Sequence, residues 1–153
     1  MTGVDSLLTP ARVMCRVEAA SKKRIFELAA RQIAETDTNL TDTDVYARLL
    51  TREKLGSTGL GTGVAIPHCR VEGCERPMGC LITLAEPIAF DAPDEQPVDL
   101  LFVLLVPAEA TQEHLDILAE LARRFSDPHY CALLRAANSA QELLARATTP
   151  RAA

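Results

Sequence analysis

The feature that most constrains the fold is an almost continuously apolar run over residues 99–106. Such a run must bury both of its faces, so it predicts a central strand with a layer of structure on each side. Three shorter apolar runs predict further strands at residues 13–17, 64–66 and 81–85. Because these strands alternate with helical segments, the sequence predicts an α/β fold with a mixed β-sheet.

Helices are predicted where apolar residues recur at helical spacing and where a capping side chain precedes them. Ser21 caps the first, the second runs from about Thr43 to Lys54, and the third runs from Thr111 to Phe125. Asp127-Pro128 begins a fourth helix, and Ser139 with Glu142 begins a fifth as a capping box.

Length and composition predict one compact domain over residues 1–153, since 48% of the residues are hydrophobic. The formal net charge of −5 argues against nucleic acid as the main partner, because binding a phosphate backbone requires a basic surface. No run approaches the ~20 apolar residues of a membrane span, and the first residues lack a signal-peptide pattern. We therefore expect a cytoplasmic protein without membrane insertion.

The stretch 59–69 has glycine at positions 59, 61 and 63 and contains one histidine, His68, directly after Pro67. Glycines let the backbone approach a ligand closely, and successive N–H groups form an anion-binding concavity. We expect the N–H groups of Gly61, Thr62 and Gly63 to help hold a phosphate beside His68. The spacing fits neither a dinucleotide fingerprint nor a P-loop, which excludes the usual nucleotide sites. The alternative is a tight glycine turn followed by an incidental histidine.

A longer pattern surrounds this histidine. Glu53 is followed, after six residues, by Leu60-Gly61, and then by Val64-Ala65-Ile66-Pro67-His68. The pattern resembles the phosphohistidine signature of the enzyme IIA family of the bacterial phosphotransferase system, of the fructose, mannitol and nitrogen-regulatory type. Cys69 stands where glycine is most usual, but a small side chain is tolerated there. Residues 51–59, 87–91, 96–102 and 106–108 resemble the nitrogen-regulatory branch in particular.

The resemblance implies a fold of five strands flanked by helices on both sides. It also implies that His68 accepts a phosphoryl group from a histidine phosphocarrier protein, with His114 and Arg52 as the other active-site residues. Phosphoryl transfer depends mainly on positioning and on stabilising negative charge. No metal or organic cofactor is therefore expected.

His114 also stands out by its position in the predicted helix 111–125. It aligns with Leu118, Leu121 and Phe125 on the apolar face, so its side chain is predicted to point inward. On pattern alone, it is either a buried core histidine or a residue that binds an anion at the start of a helix. His129 matches no residue of the family signature and is interpreted as a surface or capping residue.

The five cysteines predict reduced thiols rather than a disulfide framework. His68, Cys69, Cys74 and Cys80 are residue types that bind zinc, but their spacing differs from the usual paired cysteines of structural sites. Small buried thiols are the preferred interpretation, with zinc as the alternative.

Two functions from different classes follow from the resemblance. In the first, phosphorylation of His68 is a switch that controls the binding of regulatory target proteins. In the second, a sugar-specific enzyme IIA passes the phosphoryl group to an enzyme IIB for sugar uptake. The long match to the nitrogen-regulatory branch favours the switch.

Overall fold

The computed structural model describes residues 4–109 and 112–148 and has helices on both faces of a mixed β-sheet. The helices are α1 (Val4–Leu7), α2 (Lys22–Thr36), α3 (Asp42–Lys54), α4 (Gln112–Phe125), α5 (Pro128–Arg135) and α6 (Ala140–Thr148). The strands are β1 (Val13–Val17), β2 (Gly59–Gly61), β3 (Val64–Ala65), β4 (His68–Val71), β5 (Met78–Ile88) and β6 (Val98–Pro107). A short 3₁₀ helix, Pro10–Arg12, precedes β1. The prediction of a mixed α/β fold is confirmed.

Strand β6 is the centre of the sheet, which has the order β1-β5-β6-β3-β2. Strand β5 pairs with it in antiparallel fashion on one side, and β3 pairs with it in parallel fashion on the other. Strand β4 continues along β6 beyond β3, also in parallel. The predicted central strand is therefore confirmed, and it positions His68 at the start of β4.

The sheet has six strands, so the expectation of five needs correction. Two short strands, β3 and β4, lie on the same side of β6 and are separated by Ile66 and Pro67. Proline has no backbone N–H and cannot donate to a β-ladder, which accounts for the interruption. The predicted strand 64–66 accordingly ends at Ala65.

The core consists of two apolar layers separated by the sheet. Residues of β6 alternate between them, because successive side chains of a strand point to opposite faces. Leu101, Val103 and Leu105 pack in the layer under α2 and α3. Leu100, Phe102 and Leu104 pack in the other layer, against α4, α5 and α6.

Three of the predicted helix caps are confirmed. Ser21, Asp127 and Ser139 each accept a hydrogen bond from a backbone N–H of the following helix, at 3.2, 2.9 and 3.1 Å. Helix α3 begins at Asp42, because Thr41 provides its cap. Thr111, the predicted start of α4, lies outside the described residues, as do the predicted domain limits 1 and 153.

None of the helices within residues 4–109 and 112–148 has the length and apolar character needed to cross a bilayer.

Candidate functional site

The position of His68 depends on the break between β3 and β4. The Pro67 carbonyl accepts a hydrogen bond from the Leu104 N–H at 2.8 Å, and His68 is then paired with Leu104 as the first residue of β4. The Ile66 N–H donates to the Thr58 carbonyl at 3.1 Å. The backbone on both sides of Pro67 is therefore held, and the half-buried His68 side chain begins from a rigid segment.

The imidazole of His68 has a defined hydrogen-bonding state. Its Nδ1 lies 2.7 Å from the Ile66 carbonyl oxygen, which can only accept, so Nδ1 carries the proton and donates. Nε2 is therefore the nitrogen with the free lone pair. Burial lowers the pKa of His68, the bond to Ile66 raises it, and the positive charge of Arg52 lowers it, with a net shift downward. The ring is thus held in its neutral, nucleophilic form near neutral pH.

His114 lies in the first turn of α4, close to His68. The two rings are perpendicular, with centroids 5.8 Å apart. The predicted inward orientation is confirmed, since His114 is only 8% exposed. Its Nδ1 is buried and has no hydrogen-bond partner within the described part of the chain. Burial, then His68 and Arg70, lower the pKa of His114.

Arg52 lies in the last turn of α3, where its Nη1 donates to the Gly56 carbonyl at 3.0 Å. It lines a cleft together with both His68 and His114. It also lines a smaller groove, of about 260 Å³, to which His68 contributes as well. The structure therefore brings together the three side chains that the sequence singled out from distant segments.

The cleft has a volume of about 530 Å³ and two further arginines that the sequence analysis missed, Arg48 and Arg70. Arg48 lies one helical turn before Arg52 on α3, a spacing that places two side chains on one face. Arg70 is two residues after His68 on β4, so it lies on the same face of that strand. These two spacings are the signals that could have found them. Three arginines therefore line the cleft together with one carboxylate, Asp44, which lies 3.4 Å from Arg48, so the cleft is basic on a chain with net charge −5.

Comparisons with known proteins identify the family of the chain. Residues 6–147 match the family described as "Phosphoenolpyruvate-dependent sugar phosphotransferase system, EIIA 2". The chain belongs to this family.

The EIIA 2 chain is 44% identical over 147 residues to the nitrogen regulatory protein of Pseudomonas aeruginosa, covering 94% of this chain and 93% of that protein. It is 46% identical over 141 residues to the nitrogen regulatory protein of Escherichia coli K12, covering 92% and 86%. Its structure is similar to the crystal structure of nitrogen regulatory protein IIA-Ntr from Neisseria meningitidis, with a TM-score of 0.88, 44% identity and 95% and 99% coverage. The resemblance inferred from the sequence is confirmed.

The predicted phosphate loop of this EIIA 2 chain lies elsewhere. Thr62 and Gly63 form the two-residue turn between β2 and β3, and both have positive φ, as a tight hairpin turn requires. The Thr62 N–H donates to the Asp94 carboxylate at 2.8 Å and is not free for a ligand. The sheet register separates this turn from His68 by four residues of β6, about 13 Å along the strand. The structure does not bring Gly61, Thr62 and Gly63 to the cleft.

The candidate zinc ligands are distributed over the two faces of the sheet. Cys69 follows His68 on β4, so its side chain lies on the opposite face, in the layer that also contains Cys74 and Cys80. Burial raises the pKa of the Cys69 and Cys80 thiols to about 12, whereas a zinc ligand must be a thiolate. Within the described ranges, no three His, Cys, Asp or Glu side chains are arranged to hold a metal ion.

His129 is exposed at the start of α5, and its backbone N–H donates to the Asp127 cap. Its interpretation as a surface residue is confirmed.

Proposed function

We propose that His68 Nε2 accepts a phosphoryl group from a phosphorylated histidine phosphocarrier protein, and that the phosphorylation state of His68 controls the binding of regulatory target proteins. The observation that carries the proposal is the 2.7 Å contact between His68 Nδ1 and the Ile66 carbonyl. This contact leaves Nε2 unprotonated in a cleft that His114 and Arg52 also line.

The proposed reaction is a direct transfer between two imidazoles. The Nε2 lone pair of His68 forms the new N–P bond, while the N–P bond to the donor histidine breaks and its electron pair returns to the donor nitrogen. The Nδ1 proton of His68 stays in its hydrogen bond to Ile66, so the phosphorylated ring carries a positive charge. A carbonyl acceptor at 2.7 Å stabilises that charge.

His114 and Arg52 stabilise the negative charge of the transferring group. In phosphoryl transfer this charge is spread over the equatorial oxygens, and fixed donors in a partly water-free site act on it strongly. His114 lines the same cleft as His68, with the two ring centroids 5.8 Å apart, which supports a contact between its imidazole and a phosphoryl group on His68. The guanidinium of Arg52 supplies a charge and a planar set of N–H donors.

The regulatory role is supported by the relatives from Pseudomonas aeruginosa and Escherichia coli, which are named nitrogen regulatory proteins. The phosphoryl group carries roughly −1.5 to −2 charges and the ring becomes positive, so phosphorylation changes the net charge of the site by about −1. In a cleft lined by Arg48, Arg52 and Arg70, this change alters the electrostatic complementarity between the cleft and the charged groups of a bound partner. Couplings of this kind are typically about 1–3 kcal/mol, enough for partners to distinguish the two forms.

The acceptor is tested by incubating the protein with a ³²P-labelled phosphocarrier protein. We expect His68→Ala to take no acid-labile label, because no other histidine combines this tautomer with this cleft. His129→Ala is the matched control and should label like the wild type. Undiminished label on a folded His68→Ala variant would contradict the assignment.

The second candidate function is a sugar-specific enzyme IIA, which the family description "sugar phosphotransferase system" supports. Deleting the gene separates the two candidates. If the protein is a regulator, uptake of phosphotransferase sugars continues, and targets bind the wild type and His68→Ala differently under phosphorylating conditions. Loss of uptake of one sugar, with rapid transfer from His68 to an enzyme IIB, would instead support the sugar-specific function.

A further inference from the structure

A buried carboxylate lies next to the proposed site and takes no part in the mechanism described so far. Glu53, on the last turn of α3, has only 4% of its side chain exposed. Its Oε1 accepts from the Thr58 hydroxyl at 2.7 Å, and its Oε2 accepts from the Thr58 N–H at 3.1 Å. Lys22 Nζ donates to Oε2 at 3.0 Å and lies 4.2 Å from the centre of the Phe90 ring.

Hydrogen bonds connect this carboxylate to His68. Thr58, held by Glu53 through both its hydroxyl and its N–H, accepts the Ile66 N–H at its carbonyl. The Ile66 carbonyl in turn accepts the His68 Nδ1–H. Each hydrogen bond therefore restricts the position of the next backbone group. The last bond, to Ile66, selects which nitrogen of the His68 imidazole carries no proton.

We propose that Glu53 is a positioning residue for the phosphoryl acceptor, acting through Thr58 and Ile66 to hold His68 with its Nε2 free. The inference rests on the proposed function of His68. It adds a residue that touches neither the phosphoryl group nor the imidazole but determines the tautomer and the orientation of the ring.

The energetics of burial support a functional reason for this arrangement. Taking a carboxylate and an ammonium out of water costs several kcal/mol per ion, and well-packed apolar residues often stabilise a fold equally well. An ion pair between Glu53 and Lys22 is therefore poorly explained by stability alone. Its connection to the break between β3 and β4 gives it a role that an apolar pair could not perform.

The charge of Glu53 also favours the reaction. The His68 ring becomes positively charged during transfer, and a nearby negative charge stabilises it. The charged groups that act on this ring are Arg52 and Glu53, both from α3. His114 from α4 packs against the ring, and Arg70 from β4, which lies on the same face as His68, acts on His114. Among them Glu53 is the one that raises the pKa of His68.

The test compares Glu53→Gln with Glu72→Gln, an exposed carboxylate in the turn after β4. The ¹⁵N shifts of the His68 side chain, followed over pH, report its tautomer and its pKa. In Glu53→Gln we expect a lower His68 pKa, a smaller fraction of the Nδ1–H tautomer, and phosphoryl transfer slowed roughly 10- to 100-fold, as losing a hydrogen bond to a charged group predicts. The apparent affinity for the phosphocarrier should change little.

A second pair of variants isolates the hydrogen bond from the charge. Thr58→Val removes the hydroxyl at similar size, and Thr58→Ser retains it. We expect the valine variant to lose the Nδ1–H tautomer and the transfer rate, and the serine variant to recover both. If Glu53→Gln does not fold, the two Thr58 variants still test whether the hydrogen bond between Glu53 and Thr58 positions His68.

A wild-type tautomer, pKa and transfer rate in folded Glu53→Gln, or equal behaviour of Thr58→Val and Thr58→Ser, would overturn the proposal. Failure of the proposed function has a different signature: wild-type His68 would take no label from the phosphocarrier. In that case the tautomer and pKa measurements would still decide whether Glu53 positions the ring.

Discussion

The ring of His114 is perpendicular to that of His68, with 5.8 Å between the two centroids. The two residues come from different elements, the start of α4 and the start of β4. This spacing leaves room for a group attached to His68 Nε2 to contact His114 while the His68 Nδ1–H stays bonded to Ile66. In the proposed function, His68 is the acceptor and His114 is the residue that stabilises the transferred charge.

His114→Ala should fold and still accept label at His68, but slowly. Removing one preorganised donor to a transition-state anion costs on the order of 10²–10³ in rate in other enzymes. Single-turnover transfer from a labelled phosphocarrier measures the effect. His129→Ala is the control, and equal rates for the two variants would mean that His114 is only a core residue.

Arg52→Ala should slow the same transfer, because the variant loses one of the two positive charges with which α3 lines the cleft. Arg52→Lys keeps the charge but loses the planar set of donors, so we expect an intermediate rate. Lys54→Ala removes an exposed charge two residues further along the chain and should leave the rate unchanged. If Lys54→Ala and Arg52→Ala slow transfer equally, only the net charge of the helix end matters.

Stability should fall as the pH drops below the ordinary imidazole value of 6.5, because the pKa values of His68 and His114 are both lowered in the folded protein. Below that pH the unfolded chain binds protons that the folded chain does not, so protonation favours unfolding. The contribution of the two histidines to the free energy of unfolding is complete above pH 6.5. It is lost as the pH falls through their lowered pKa values in the folded protein.

Urea unfolding at about pH 7.5 and about pH 5.5 measures this dependence. His114→Gln should reduce the difference between the two pH values, whereas His129→Gln, with its exposed side chain, should not. A free energy of unfolding that rises on acidification would contradict the burial argument for both histidines.

Metal removal should have no effect on this protein. Cys69 and Cys80 are buried thiols with pKa values raised to about 12, which disfavours the thiolate that zinc requires. Native mass spectrometry should give the mass of the chain alone, and a chelator should leave the Tm unchanged. One zinc per chain, with unfolding on chelation, would support the zinc alternative instead of packing thiols.

Gly79→Ala should destabilise the fold, because an added Cβ would overlap the buried ring of Phe102. Overpacking of this kind typically costs about 1–3 kcal/mol. Because Phe102→Leu removes part of the obstructing ring, the double variant should be more stable than the sum of the two single effects predicts. Urea unfolding of the four proteins measures the coupling, and strict additivity would rule out the overlap.

Much of the fold follows from local patterns that the sequence displays directly. The run 99–106 predicted a strand buried on both faces, and β6 is that strand. The caps at Ser21, Asp127 and Ser139 predicted helix starts, since a side chain and the N–H that it accepts lie within three residues of each other. Strand β5 extends beyond its predicted limits 81–85, because its ends pair with β6 outside the apolar run.

The candidate site was only partly predictable. His68 follows from the signature, Arg52 from the family resemblance, and the inward orientation of the His114 side chain from helical periodicity. Arg48 and Arg70 line the cleft although neither belongs to a motif. The glycines at 61 and 63 were predicted to hold phosphate, but the same residues also suit a tight hairpin turn, and local sequence does not distinguish the two.

The sequence by itself determined the central strand, the capped helix starts, the buried face of α4 and the histidine that follows Pro67, because each depends on neighbours within a few residues. Only the tertiary structure decided that His114 lies beside His68, that the glycine turn lies away from both, and that Glu53 connects through Thr58 to Ile66. The physical reason is that these relations depend on strand pairing and register. Both are set by contacts between segments that are far apart in the chain.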